Sequence, residues 1–566
     1  MISNAVLLLG PVLLVPLLLG LVALLPALRS RVLDLLPIAP LPGLAAALLA
    51  PVGTSLEAPD LLFGLRLDVT VEGGLFLGFA SALWIAAGFF ARSYMCGSRD
   101  LPVFCAFWCL TLFGNLAVFL AGDAATFYLA FACVSLAAYP LVVHERSNRA
   151  MQAGLVYIVL ALIGEALLLL GMLLAVAAAD GILLTEVRQA LGASADWLPI
   201  ALLVAGFGIK AGMIPLHVWL PLAHPAAPTP ASAVLSGAIV KAGIFGLIQF
   251  LPIGGEIGNW GSILIWIGVA GAWFGIAVGL TQANPKTILA YSTVSQMGIV
   301  VAVIGTAMLP GGGPAALAAA SLYALHHGLA KGALFMGVGV AQKAGPRAIV
   351  PVMAVLALVA LSVAGLPLLG GAFAKLAIKG PLGGGMVEIL VAASAAGTSL
   401  ILLRYLVRLH AVRPTEDAVP GLGLIAPFAA IALAALVAPW FLFAGWSGRS
   451  LAYAFEWSNI WAGLWPLLVA GVVAAAVLLR HGLKSPAIPE GDLVVPAKAV
   501  ISSLAGFWSA AGDRFATRLP ALRRPALNAA SLLAWLEARL SNWAVAGSLM
   551  VLLVLAMIAA SGMWSG

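Results

Sequence analysis

The feature that bounds every other reading of this chain is a series of apolar runs, each about 20 residues long, that follow one another along most of its 566 residues. About 20 residues of α-helix cross a hydrocarbon layer of about 30 Å. A soluble fold is excluded by the same runs: 63% of residues are hydrophobic and only 9% charged, where soluble domains carry about 25% charge. A single aqueous core stops growing near about 250–300 residues and could not hide this much apolar surface. The runs are continuous rather than alternating, so they predict helices and not a barrel. The expected spans are 4–28, 33–51, 71–91, 101–121, 125–143, 153–178, 198–221, 231–252, 260–281, 287–307, 315–341, 351–378, 386–409, 421–443, 462–480 and 542–562. The fold class is therefore an all-α polytopic membrane protein with about 14–16 transmembrane helices. No basic residue precedes the first run, which reads as a span and not as a cleaved leader.

The placement of charge sets an orientation. With the N-terminus outside, cytoplasmic segments hold 20 of the 28 Lys and Arg, among them Arg29, Arg31, Arg92, Arg99, Arg146, Arg149, Arg404, Arg408 and Arg413. Outer segments hold four, Arg66, Arg188, Lys379 and Arg449, together with 11 acids such as Glu57, Asp60, Asp68, Glu72, Asp180 and Asp196. This asymmetry is the positive-inside pattern. The net charge of +7 is thereby accounted for by orientation in a cell inner (plasma) membrane, with no nucleic acid as partner.

Catalytic and cofactor chemistry find no home here. Cys96, Cys105, Cys109 and Cys133 lie in or beside apolar helices with no histidine near them in sequence, which predicts apolar packing and no metal site. No P-loop or dinucleotide fingerprint is present. The expectation is no cofactor and no catalytic site of its own, so redox or nucleotide chemistry would belong to a partner.

After the inner and outer basic residues are subtracted, four lysines remain at membrane depth: Lys210, Lys241, Lys331 and Lys375. Glu165 lies equally deep, near the middle of its span. An ionisable group at the bilayer centre costs about 2.5–3.5 kcal/mol even on the lenient insertion scale. Each has an alternative reading as a structural ion pair or a snorkelling side chain, and beside Lys331 the histidines His326 and His327 are further candidates. A buried lysine whose acidic partner approaches or withdraws is a proton site with two affinities. Helix breakers mark the same places. Lys210 lies within Gly206-Phe-Gly-Ile-Lys-Ala-Gly-Met-Ile-Pro215, and Lys375 follows Gly365-Leu-Pro-Leu-Leu-Gly-Gly371. Broken helices at membrane depth are tolerated where they meet protein or water, and they recur in transporters built from inverted repeats.

The run KAGMIPLHVWLPLAHPAAPTPASAVLSGAIVKAGIFGLIQF at 210–250 resembles the signature of the antiporter-like subunits of respiratory complex I, shared with Mrp-type cation/proton antiporters and membrane-bound hydrogenases. ILAYSTVSQMG (288–298) and HHGLAKGALFMGVG (326–339) are similar to two further blocks of that family, and the likeness spans roughly residues 70–410. The resemblance implies two inverted five-helix repeats, each with a half-channel centred on a lysine. It places Lys210 on the broken-helix lysine of the first half and Lys241 on the bridging lysine. His326, His327 and Lys331 fall in its central water file, and Lys375 falls on the lysine of the second broken helix. One position departs: the family's glutamate in the fifth helix is Ala132 here, within Phe131-Ala132-Cys133. Glu165, one helix later, is the expected substitute partner of Lys210; loss of the switch is the competing reading.

The expected domains are 1–70, N-terminal helices and an outer loop; 71–410, the channel core; 411–483, peripheral helices; 484–541, a cytoplasmic basic segment in short amphipathic pieces; and 542–566, a final span. Function is expected to be proton translocation by Glu165, Lys210, Lys241, His326, His327, Lys331 and Lys375 within a multisubunit assembly in the bilayer. The alternatives are Na⁺/H⁺ antiport, an inorganic-carbon uptake or hydrogenase assembly, and a non-conducting scaffold.

Overall fold

In the computed structural model, residues 4–25, 28, 31–60, 64–194, 196–255, 258–479 and 488–493 are described. Three helices open the chain, α1 (Asn4–Val22), α2 (Val32–Leu35) and α3 (Leu41–Leu49), followed by two four-residue strands, β1 (Ser55–Ala58) and β2 (Leu65–Asp68). Next come α4 (Val71–Tyr94), α5 (Leu101–Leu120), α6 (Ala124–Val142), α7 (Asn148–Ala177), α8 (Leu184–Ala193), α9 (Leu198–Ala211) and α10 (Trp219–Ala226). α11 (Thr229–Val234) runs through a π turn, Leu235–Ile239, into α12 (Val240–Phe250). The remainder is α13 (Trp260–Gly279), α14 (Pro285–Ala307), α15 (Pro314–Ala341), α16 (Ile349–Ala364), α17 (Gly370–Leu382), α18 (Met386–Ala411), α19 (Leu422–Ser447), α20 (Leu451–Ala454) and α21 (Trp457–Leu479). Among the described residues, 4–56 and 67–490 form one compact unit, which contains all of these helices.

Local chemistry fixes where the long helices start. Thr70, Asp123 and Ser147 each accept a backbone N–H in the first turn of α4, α6 and α7, and Asn284 does the same for α14, with Pro285 at its first position. Eleven helices, with Thr229–Phe250 taken as one, are long and apolar enough to cross a membrane. α15 is 28 residues long but carries two histidines and a lysine, and two further spans are interrupted, α9–α10 and α16–α17. Together these make fourteen crossing segments among the described residues. The protein is a multi-pass membrane protein.

Two expectations need correcting. The stretch 33–51 is not one helix: Pro37 and Pro40 separate α2 from a nine-residue α3. Each proline removes a backbone donor and clashes with the turn before it, and nine residues reach only about 14 Å. The segment between α7 and α9, expected as plain outer loop, holds α8. Its buried residues Leu184, Val187 and Leu191 line one face, so it lies against the bundle as an amphipathic helix. The expected final span 542–562, and the basic stretch 484–541 apart from 488–493, lie outside the described residues.

Burial grades inward. The most apolar window of α14, like the whole of Thr229–Phe250, is 100% buried inside the protein, against 17% in α1 and 11% in α21. The centre is α12, α14 and α15; α12 carries Lys241 and α15 carries His326, His327 and Lys331. α13 and α14 touch along a seam of glycines seven residues apart. Gly261 and Gly268 of α13 face Gly305 and Gly298, and Gly275 faces the backbone of Tyr291 and Ser295. A Cβ on Gly298 would lie 2.5 Å from the Gly268 carbonyl oxygen, and one on Gly305 would lie 2.7 Å from that of Gly261. Small residues of this kind let backbones meet in lipid, where no hydrophobic force drives helices together.

Gly298→Val is therefore expected to destabilise the purified chain by about 1–3 kcal/mol or more through overpacking. Gly445→Ala, where an added Cβ meets nothing within 4 Å, is expected to be neutral. Thermal unfolding in detergent, with the two variants side by side, checks both.

Candidate functional site

Titratable side chains gather in three places, each at an irregularity of a helix. The first lies between α6, α7 and α9. α7 and α9 approach closely where Gly164 meets Gly206; a Cβ on Gly206 would lie 3.0 Å from the Gly164 carbonyl oxygen. That approach brings Glu165 and Lys210, 7% and 5% exposed, into one buried region. Lys210 is in the last turn of α9, which ends at Gly212 in the left-handed conformation (φ 74°). Helix-end carbonyls favour a cation there. Its Nζ donates to the Tyr157 hydroxyl at 3.3 Å and lies 5.6 Å from the Tyr157 ring centre and 5.9 Å from that of Phe131. The Tyr157 hydroxyl donates onward to the Ser135 carbonyl at 2.7 Å. No salt bridge within 4 Å joins Lys210 to Glu165. The two charges act on each other across a gap, with Ser135 also beside the carboxylate, and Glu165 Oε2 has no hydrogen-bond partner.

The second place is the centre. The π turn before α12 leaves the Ser236 carbonyl outside the regular helical ladder, and it accepts from Lys241 Nζ at 2.6 Å. The same Nζ lies 2.8 Å from His327 Nδ1; with the ammonium donating, Nδ1 accepts and the proton of the ring sits on Nε2, which has no partner. Ser236 Oγ meets Thr293 Oγ1 at 2.9 Å, and the Thr293 hydroxyl and Lys331 Nζ both donate to the Leu289 carbonyl, at 3.1 and 2.9 Å. Lys241 and Lys331 are thus joined through Ser236, Thr293 and Leu289. Gly243 presses on the backbone of Lys210 and Ala211, so α12 carries Lys241 close past the first cluster. Among the described residues no hydrogen bond joins the two.

The third place is the interruption between α16 and α17. Consecutive residues on α15 point about 100° apart, so His327 faces α12 while His326 Nε2 lies 3.0 Å from Ser362 Oγ on α16. Ser362 Oγ also accepts the Gly371 N–H at 3.0 Å, spanning the break. α16 ends at Gly365 (φ 101°), and Lys375 Nζ donates to the freed Ala364 carbonyl at 2.6 Å. Lys375 is half-buried. It opens onto a cleft of about 100 Å³, lined also by Tyr323, Lys379, Glu388 and Asn459, with room for several waters.

All seven residues singled out by the sequence therefore lie in these clusters. The stretch that holds them matches a known family: residues 121–401 match the family described as NADH:quinone oxidoreductase/Mrp antiporter, TM. The chain belongs to the antiporter-like subunit family. It is 34% identical over 381 residues to a protein named putative antiporter subunit mnhA2 from Staphylococcus haemolyticus, covering 58% of this chain and 47% of that one. It is 35% identical over 236 residues to hydrogenase-4 component B from Escherichia coli K12, covering 40% and 35%. The antiporter-like chain thus spans about half or less of the length of these curated relatives. A chain of the Mrp complex from Dietzia sp. DQ12-45-1b superposes with a TM-score of 0.69 over 100% of this chain and 63% of its own; at 23% identity that likeness establishes the fold.

The antiporter-like chain also presents polar residues that the sequence reading passed over. Tyr157, Ser236, Thr293 and Ser362 join the titratable groups, and Tyr323, Gln296 and Thr398 form a separate chain with contacts of 2.6 and 3.1 Å. His224, fully buried, stacks on Phe335 at 4.5 Å between ring centres and has no partner on either ring nitrogen. Their signal was available in part: His224, Thr293 and Gln296 stand inside the motif blocks at 210–250 and 288–298.

The Lys241–His327 contact makes an asymmetric prediction. His327→Ala strands a buried ammonium and is expected to destabilise the chain by about 1–3 kcal/mol. Lys241→Met removes the charge but leaves the Ser236 carbonyl and His327 Nδ1 without their donor, and is expected to cost less than His327→Ala because no buried charge remains. Unfolding midpoints of the two variants in one detergent check the order.

Proposed function

We propose that this chain is a proton-translocating subunit of a larger membrane assembly, carrying protons past Glu165, Lys210, Lys241, His326, His327, Lys331 and Lys375. The observation that carries the reading is the gathering of polar contacts in the best-buried helices: Lys331 is joined to Lys241 by way of Leu289, Thr293 and Ser236, and Lys241 to His327, while His326, turned the other way on α15, reaches Ser362 at the Lys375 break. Ionisable groups this deep are expensive in lipid, and a set of them in contact suits a proton relay of groups with alternative partners. Glu165 is the acidic partner of Lys210 in this reading, in place of the carboxylate missing at Ala132. The cleft beyond Lys375 suits an exit, because Lys379, Glu388 and Asn459 continue from it.

The two interrupted spans support the two-repeat organisation. α5–α12 and α13–α18 each contain five spans, and in both the fourth is broken at a left-handed glycine with a lysine near the break. For orientation we infer an outer N-terminus in a plasma membrane. The basic residues assigned outside all have local partners: Arg66 pairs with Glu57, Arg188 donates to the carbonyls that end α12, Lys379 donates to Asn459, and Arg449 stacks on Tyr453. Assembly with other membrane subunits is inferred from the relatives, whose names include an antiporter subunit and a hydrogenase component.

Lys210→Ala and Lys375→Ala are each expected to lower proton flux in reconstituted vesicles at least about tenfold, since positioned proton-transfer groups contribute factors of about 100–10,000. Unchanged flux in both would leave a non-conducting scaffold. In a Glu165→Ala background, Ala132→Glu is expected to restore transport, and a dead double variant with Lys210 intact would remove Glu165 from its assigned role.

A further inference from the structure

The Lys210 ammonium stands between two places on α7. Tyr157 and Glu165 lie eight residues apart, about 12 Å along the helix, and α9 packs against α7 beside Glu165, with Ile209 and Gly206 against Gly164. The amine is turned to Tyr157: it donates to the hydroxyl at 3.3 Å and lies within 6 Å of the rings of Tyr157 and Phe131. The faces of both rings attract a cation. The Tyr157 hydroxyl is itself fixed by its 2.7 Å bond to the Ser135 carbonyl, so its oxygen lone pairs face the amine. Glu165 keeps Oε2 buried and unpartnered, and no carboxylate occupies position 132 of α6.

We propose that Tyr157 is a positioning residue: with Phe131 it forms a neutral aromatic station that holds the charged amine of Lys210 away from Glu165. The inference rests on the conduction reading for its use, and deepens it. With no carboxylate at 132 to pair with the amine, an aromatic ring and a hydroxyl oxygen hold it loosely enough to leave. On reaching Glu165 the ammonium passes one proton to the carboxylate. An N–H bond breaks and an O–H bond forms, leaving a neutral amine and a neutral acid, with no other reactant needed. Retention at the station keeps that transfer from occurring until the amine is released.

The test uses the full-length protein in lipid nanodiscs and reads carbodiimide labelling of Glu165 by peptide mass spectrometry, a reaction of the protonated carboxyl group. Tyr157→Phe keeps the ring and removes the hydroxyl. It is expected to speed labelling of Glu165 roughly fivefold, the factor that loss of one ordinary hydrogen bond gives, because the amine moves to the carboxylate and protonates it. Adding Lys210→Met to Tyr157→Phe is expected to return labelling to the wild-type rate. Labelling of Tyr157→Phe at the wild-type rate, or fast labelling that persists in the double variant, overturns the station. The conduction reading fails separately, through wild-type proton flux in Lys210→Met vesicles, whatever the labelling shows.

Discussion

The structure depends on how an amine can be kept in lipid without an acid beside it. Of the four deep lysines, three donate to a backbone carbonyl: Lys241 to Ser236, Lys331 to Leu289 and Lys375 to Ala364. Two of those carbonyls are available because a helix departs from its regular ladder, at the π turn before α12 and at the end of α16. The fourth, Lys210, occupies the last turn of α9, where the unpaired carbonyls collect. Carbonyl dipoles hold a cation less firmly than a carboxylate does and leave no second charge to solvate. The irregular backbone is thus the means by which the fold tolerates its own charges.

That requirement explains the layering. α12, α14 and α15 are central because they carry the groups that most need shielding from lipid, and the helices around them expose apolar side chains such as Leu155, Leu162 and Leu173 of α7 and Phe441 of α19. Arg92, Arg146, Arg149 and Arg347, by contrast, pair with acids in the short helix α2 and in the loops, at Asp34, Asp100, Glu490 and Asp417. These pairs are at least a third exposed on one or both partners, and exposed pairs contribute little to stability.

The sequence made the bundle legible because hydropathy and length are local properties, and it located both broken spans because glycine and proline announce themselves beside Lys210 and Lys375. It misread 33–51 because apolarity survives Pro37 and Pro40 while the helix does not. α8 escaped because ten residues fall below any spanning length. The π turn at Leu235–Ile239 has no residue signature of its own; it is a matter of which carbonyl each N–H chooses, and that is decided by packing. Tyr157 was equally hidden, since one tyrosine in an apolar helix looks like core until the amine of another helix is found against it. The separation of Lys210 from Glu165 is likewise a property of side-chain direction, which neither spacing nor composition reports.

The glycine seam between α13 and α14 bears on what can move. Two backbones locked at heptad intervals cannot slide past each other by less than a whole repeat without collision, so α14 behaves as a keel. Leu289, whose carbonyl anchors Lys331, and Thr293, which meets Ser236, both belong to that keel. The acceptors at the centre of the protein are consequently stationary, and any rearrangement there falls to the side chains that reach toward them from α12 and α15.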